Sequence, residues 1–218
     1  MRQVQIIGSG QSFSLGKIVC IGRNYAGHIR ELGNEVPEQP VLFMKPASSV
    51  IGEGGIIVIP AYSQDCHHEV ELAILIGRTI KGIGAAEALS AVAGYGVAID
   101  LTLRDVQNQQ KSKGLPWEIA KGFDTACPLS DFVPAGAVRD PQNLTISLQV
   151  NNEVRQEAST ALMLRSIPQL IEEISAIFTL EAGDIILTGT PAGVSRLLPG
   201  DRVMAAISEV GRLNVSVA

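Results

Sequence analysis

Two acids two residues apart, Glu69 and Glu71, stand at the head of an otherwise apolar run, His68-Glu69-Val70-Glu71-Leu72-Ala73-Ile74-Leu75-Ile76. Successive side chains of a strand point to opposite faces, so Glu69 and Glu71 share one face while Val70 and Leu72 share the other. Past Ala73 the run is wholly apolar, which predicts a strand entering the core. Two carboxylates so placed repel each other and lose hydration, a cost that a hard cation accepting oxygens from both removes. A third acid is within reach of the pattern: Gly94 to Ile99 reads as an apolar strand with Asp100 at its C-terminal tip. Three oxygen donors with no cysteine and no obligatory histidine suit Mg²⁺ or Mn²⁺ better than zinc. The same spacing also fits a solvated strand face paired with lysines, and spacing alone does not choose between the two. His67 falls on the Glu69 face, as a ligand, a supporting donor or an ordinary strand-edge histidine; His68 points the other way.

Other motifs carry less chemistry. Gly8-Ser9-Gly10 lacks the third glycine of a dinucleotide turn, Phe13 standing there, and reads as an N-terminal turn. Thr188-Gly189-Thr190-Pro191-Ala192-Gly193 resembles half a phosphate loop without its Lys-Ser/Thr. There is no GxSxG elbow, and Cys20, Cys66 and Cys127 are too few and too scattered for a disulfide framework or zinc ribbon, so they read as reduced core thiols.

The elements that must hold the acids are mostly strands. Ile18–Ile21, Val41–Met44, Ile56–Ile59, Glu69–Ile76 and Tyr95–Ile99 are short apolar segments punctuated by 22 glycines and 11 prolines. Leu144, Ile146, Leu148 and Val150 alternate with polar residues, and Asn151-Asn152 tolerates a left-handed turn, so 144–157 predicts a β-hairpin. Gly183-Asp184 and Pro199-Gly200-Asp201 are turns that launch further strands; Arg202–Ile207 and Leu213–Val217 form a closing hairpin around Gly211. Two helices are expected, Ala85–Val92 and Ile167–Phe178, the second with Ser166 as N-cap and Pro168 in its first turn. The fold class is α+β and β-dominated, in a single catalytic domain over 1–218 that begins with a short N-terminal segment, 1–16.

A net charge of -5 and a pI near 5.2, with no Lys/Arg run, argue against a nucleic-acid partner. No segment has the apolar length of a signal peptide or membrane span, so a cytoplasmic location and no membrane partner are expected.

Six ordered motifs carry a resemblance. Gly22-Arg23-Asn24-Tyr25-Ala26-Gly27-His28, Pro40–Pro46, His68-Glu69-Val70-Glu71-Leu72, Gly96–Asp100 with Arg104-Asp105-Val106-Gln107, Lys121-Gly122-Phe123-Asp124 and Leu187–Val194 together are similar to the fumarylacetoacetate hydrolase family. The likeness is to its short single-domain branch of acylpyruvate hydrolases, oxaloacetate decarboxylases and oxaloacetate tautomerases. It implies a mixed β-sandwich roll, a homodimer, and Mg²⁺ or Mn²⁺ on Glu69, Glu71 and Asp100. It implies further that Lys121 faces the metal-bound substrate, that Arg104, Gln107 and Thr190 contact its carboxylate end or nearby water, and that Arg23, Tyr25 and Lys45 are additional substrate contacts. His28 and Glu31 would sit on a lid and activate water, and a helical turn there would bring i and i+3 together. Gly27 and the tip at Gly33-Asn34-Glu35 depart from the common pattern, which bears on substrate choice.

A short 2-oxo acid chelates a cation through its carboxylate and 2-oxo oxygens, and the cation then stabilises the enolate. Three carboxylates and one divalent ion leave about one negative charge, which Lys121, Arg104 and either Arg23 or Lys45 would offset for an anionic substrate. Hydrolysis of the C–C bond of acylpyruvates is expected first, with His28 as general base oriented by Glu31. Oxaloacetate tautomerisation or decarboxylation, through Lys121 or a metal-bound water, is the alternative. A non-catalytic, metal-stabilised binding module is the reading from another class.

Overall fold

A computed structural model describes residues 2–218. Its two main sheets form the layers of the expected sandwich. The first has six strands, in the spatial order Val133–Pro134, Val92–Ile99, Val70–Ile76, Ile185–Leu187, Ile18–Gly22, Val41–Lys45. All neighbours are antiparallel except Ile185–Leu187 beside Ile18–Gly22. The second has five, Glu153–Ser159, Thr145–Val150, Arg202–Ile207, Gly211–Val217 and Ile56–Ile57, the last pair parallel.

Past Glu71 the central Val70–Ile76 strand is apolar on both sides because both sides are covered. Leu72, Ile74 and Ile76 enter the large core between the sheets, where they meet Ile146, Leu148, Val203, Ala205, Leu213 and Val215. Ala73 and Leu75 enter a second core on the opposite face with Ile18, Cys20, Phe132, Ile185 and Leu187. Glu71 has the parity of this second set, so one strand carries its acid toward the smaller core's open end.

Most expected strands and turns are present. Asn151 and Asn152 take φ of 52° and 67°, as the tight turn between Thr145–Val150 and Glu153–Ser159 requires. Ser166 and Gln169 complete a capping box at the head of Ile167–Ile177. Three expectations need correction. The Ala85–Val92 helix is a single turn, Ala85–Ala88, followed by a 3₁₀ turn, and Val92 already begins a strand. The strand expected at Ile56–Ile59 is only Ile56–Ile57. The closing turn falls at Ser208–Val210, Glu209 taking the left-handed backbone, and Gly211 opens the final strand. Arg104–Ser112, Glu118–Lys121 and Ala26–Glu31 are helices as well, the first two unforeseen. No helix among the described residues is long and apolar enough to cross a membrane.

Candidate metal centre and active site

Strand register explains why the acids meet. Val70 lies opposite Ile99 and Glu71 opposite Ala98, so Asp100 comes directly across from Glu69, whose carbonyl accepts from the Asp100 N–H at 2.7 Å. Glu69, Glu71 and Asp100 are 4 %, 1 % and 1 % exposed, and each offers an oxygen within 4.8 Å of the others. No bulk water hydrates this charge, so the surrounding groups decide its state.

Those groups treat the three acids differently. Glu69 is ion-paired with Arg104 and lies 2.9 Å from the Lys121 ammonium; Asp100 lies 2.6 Å from the same ammonium and 2.8 Å from that of Lys45. Burial alone would raise the Glu69 carboxyl, but Lys121 and Arg104 hold it well below the ordinary carboxylate range. Among the described residues Glu71 receives only the Gly189 N–H, at 2.6 Å, and no cation within ion-pair distance. Burial, then the charges of Asp100 and Glu69, push its carboxyl well above the ordinary value. A buried carboxylate crowded by two others and lacking a counter-ion fits a hard cation, and the all-oxygen donor set fits Mg²⁺ or Mn²⁺.

The remaining walls come from five segments. Arg104 and Gln107 sit one helical turn apart on Arg104–Ser112, tied by a 2.8 Å hydrogen bond, and Lys111 lies one turn further along the same face. Lys121, at the end of Glu118–Lys121, packs its ammonium 4.7 Å above the Phe43 ring. Although burial opposes it, the charges of Asp100 and Glu69 raise the Lys121 pKa. Thr190 closes another side, its Oγ1 accepting from Gln156 Nε2 at 2.8 Å. The Gln156 amide oxygen accepts from Val70 N–H and meets His68 Nδ1, so one buried amide locks the Thr190 loop to the Glu69–Glu71 strand.

The helix Ala26–Glu31 and the residues after it form one wall of the cavity, through His28, Leu32 and Asn34. His28 lines it, and its Nδ1 lies 3.2 Å from Glu31 Oε2; the other Glu31 oxygen accepts from Gly193 N–H at 3.0 Å. The segment 188–194 is thus a carboxylate-binding loop, Gly189 serving Glu71 and Gly193 serving Glu31. Both glycines have φ near +90°, at 89° and 101°, and a Cβ on Gly189 would come within 2.8 Å of the Asn24 Cβ.

Two expected substrate contacts are not brought to the cavity. Lys45 is 1 % exposed beneath Asp100, where it donates to the carbonyls of Leu101, Lys121 and Ala126. Tyr25 precedes the helix Ala26–Glu31 as its N-cap and faces a separate hollow with Gly27, Arg30, Pro191 and Ala192, its buried hydroxyl without a partner among the described residues. Arg23 does line the cavity. Conversely, Phe43, Lys111 and Trp117 line it without having been singled out, and Asn34, from the tip expected to bear on substrate choice, lines it too. Lys111 had a legible signal, its i+7 spacing from Arg104, had a helix been foreseen there. His67 turns to Asp65 at 2.9 Å and stays outside the triad, and the three cysteines are buried and free.

A sandwich roll that buries three carboxylates beside a short helix, with an arginine and a lysine against them, defines a class of carboxylate-centred enzyme sites. The chain belongs to the fumarylacetoacetate hydrolase family: residues 17–218 match the Fumarylacetoacetate (FAA) hydrolase C-terminal family. It is 51% identical over 197 residues to an oxaloacetate tautomerase of Escherichia coli (strain K12), covering 90% of either chain. It is 49% identical over 193 residues to the mitochondrial oxaloacetate tautomerase of Bos taurus, covering 88% of this chain and 87% of the relative. Among solved structures it resembles the fumarylpyruvate hydrolase of Pseudomonas aeruginosa in complex with Mn²⁺ and pyruvate. The TM-score is 0.96 at 36% identity, over 100% of this chain and 95% of the other.

Proposed function

We propose that this chain is a Mg²⁺- or Mn²⁺-dependent enzyme that interconverts the keto and enol forms of oxaloacetate. The observation that carries this reading is the buried triad of Glu69, Glu71 and Asp100, with Glu71 in no ion pair among the described residues. The relatives at 49% and 51% identity, both oxaloacetate tautomerases, favour this reaction over others of the family. When bound, the cation supplies Lewis-acid polarisation of the 2-oxo oxygen.

The chain's own residues do the rest. Lys121, Arg104 and Gln107 present donors to the anionic end of the substrate and to the oxygen that gains charge. Thr190, fixed by Gln156, adds a hydroxyl. Glu31 holds His28 through Nδ1, leaving Nε2 without a protein partner among the described residues and able to exchange a proton at the substrate carbon or with water. The lid keeps bulk water from the ionised intermediate.

Hydrolysis of acylpyruvates is the second reading. It is favoured by the His28–Glu31 pair facing the cavity and by the likeness to fumarylpyruvate hydrolase. The separating experiment follows enol-oxaloacetate ketonisation and acetylpyruvate cleavage with Mg²⁺, wild type beside His28→Ala. We expect ketonisation to dominate in the wild type; efficient acetylpyruvate cleavage that vanishes in His28→Ala would favour the hydrolase. Homodimer formation and a cytoplasmic location belong to the same proposal. They rest on the family resemblance and, for the dimer, on exposed apolar side chains such as Val58, Tyr62 and Ile119.

A further inference from the structure

Among the cations that line the acid-floored cavity, two are left unanswered. Arg104 and Lys121 are paired with Glu69 and Asp100, and Lys45 is engaged with Asp100 from below. Arg23 and Lys111 also line the cavity, and neither has an acid within ion-pair distance among the described residues. Both are held in place. Arg23 adopts φ 64°, a left-handed backbone that costs a non-glycine residue free energy, and its Nη2 donates to Asn34 Oδ1 at 3.0 Å. Lys111 is half-buried with its ammonium 5.4 Å from the Trp117 ring centre, in cation–π contact. Burial first, then the neighbouring charge of Arg23, lowers the Lys111 pKa, as expected of like charges pressed together at one wall.

Charge balance points the same way. The cavity is lined by the carboxylates of Glu69, Glu71 and Asp100 against the cations of Arg23, Arg104, Lys111 and Lys121. A divalent ion on the triad would add two further positive charges. One 2-oxo carboxylate chelating at the floor cannot balance that surplus, whereas a substrate with a second carboxylate brings the missing charge to the wall where the unpaired cations stand.

We propose that Arg23 and Lys111 form a receptor for the distal carboxylate, with Trp117 positioning Lys111, so that the chain selects 2-oxo dicarboxylic acids over 2-oxo acids with neutral tails. This rests on the oxaloacetate reading above and assigns the residues that recognise its second carboxylate.

The test compares wild type, Lys111→Gln and Lys111→Arg, all loaded with Mg²⁺. Oxaloacetate turnover gives KM and kcat, and the emission of Trp117, the only tryptophan in the chain, reports equilibrium binding of pyruvate, which lacks a distal carboxylate. Lys111→Gln should raise KM for oxaloacetate about tenfold or more, the loss expected for one charged hydrogen bond, with kcat far less affected. Pyruvate affinity should stay within about twofold, and Lys111→Arg should restore most of the KM. Unchanged KM in Lys111→Gln, or equal weakening of pyruvate and oxaloacetate, overturns the receptor while leaving the enzyme reading intact. A wild type that neither binds pyruvate nor acts on oxaloacetate brings down both.

Discussion

Glu71 differs from its two partners in having a backbone N–H but, among the described residues, no cation in ion-pair contact, while Glu69 and Asp100 are each held by protein cations. In the metal-free protein this residue is therefore the strained member of the triad. Glu71→Gln keeps an oxygen for the Gly189 N–H and removes the repulsion. The melting temperature of metal-free Glu71→Gln should equal or exceed that of the wild type, and the rise on adding Mg²⁺ should vanish. For the wild type that rise corresponds to about 2.7 kcal/mol at a hundredfold excess over Kd. Calorimetric scans of both proteins with EDTA and with Mg²⁺ read both effects; a markedly less stable metal-free Glu71→Gln would mean the carboxylate serves the fold. At this scale the acids were legible because strand alternation and an apolar run are local signals. Lys45 and Tyr25 were not placed correctly, because whether a motif residue faces a cavity or lies beneath it depends on packing depth, which linear spacing does not encode.

The Arg104–Ser112 helix shows why an element can hide. Its buried residues are Arg104, Gln107 and Gln110, all polar, because two of them face the site instead of the apolar core. Hydropathy periodicity is blind to such a face, and rules of local consistency fail first where function sits. Asp105 anchors this helix. Its carboxylate accepts from Ser63 Oγ at 2.6 Å, Gln64 N–H at 2.8 Å and Val106 N–H, and it lies in the first turn, where the helix dipole favours negative charge. Burial would raise its carboxyl, yet the Gln64 N–H and the other donors hold it below the ordinary value. The folded state thus binds the proton more weakly than the unfolded chain. Its stabilisation is complete above about pH 4 and is lost as the pH falls through the lower folded-state pKa. Asp105→Ala should cost about 1–2 kcal/mol at pH 7 and weaken oxaloacetate binding, since Arg104, Gln107 and Lys111 ride on the same helix. Urea titrations should show the gap from wild type narrowing below about pH 4; a gap that does not depend on pH would assign the loss to packing.

For the molecule as a whole, the hairpins were readable because their turns are local: Asn151-Asn152 and the strands around Gly200 and Gly211 announce themselves. The parallel pairing of Ile18–Gly22 with Ile185–Leu187 joins segments far apart in the chain and has no local signal. The sheet order that carries Asp100 to Glu69 is local again, since adjacent antiparallel strands supply both. If the chain pairs as proposed, light scattering behind size exclusion should give twice the 23.1 kDa of one chain at micromolar concentration; a mass of one chain would refute the dimer.

In the proposed enzyme Glu69, Glu71 and Asp100 share one hard cation at which a 2-oxo acid docks. Titrating the protein into Mn²⁺ and counting free ion by electron paramagnetic resonance, with and without pyruvate, tests that most directly. The expected result is one saturable ion per chain, held more tightly when pyruvate is present and lost in Glu71→Gln. No saturable site, or one that survives Glu71→Gln and ignores pyruvate, would contradict it.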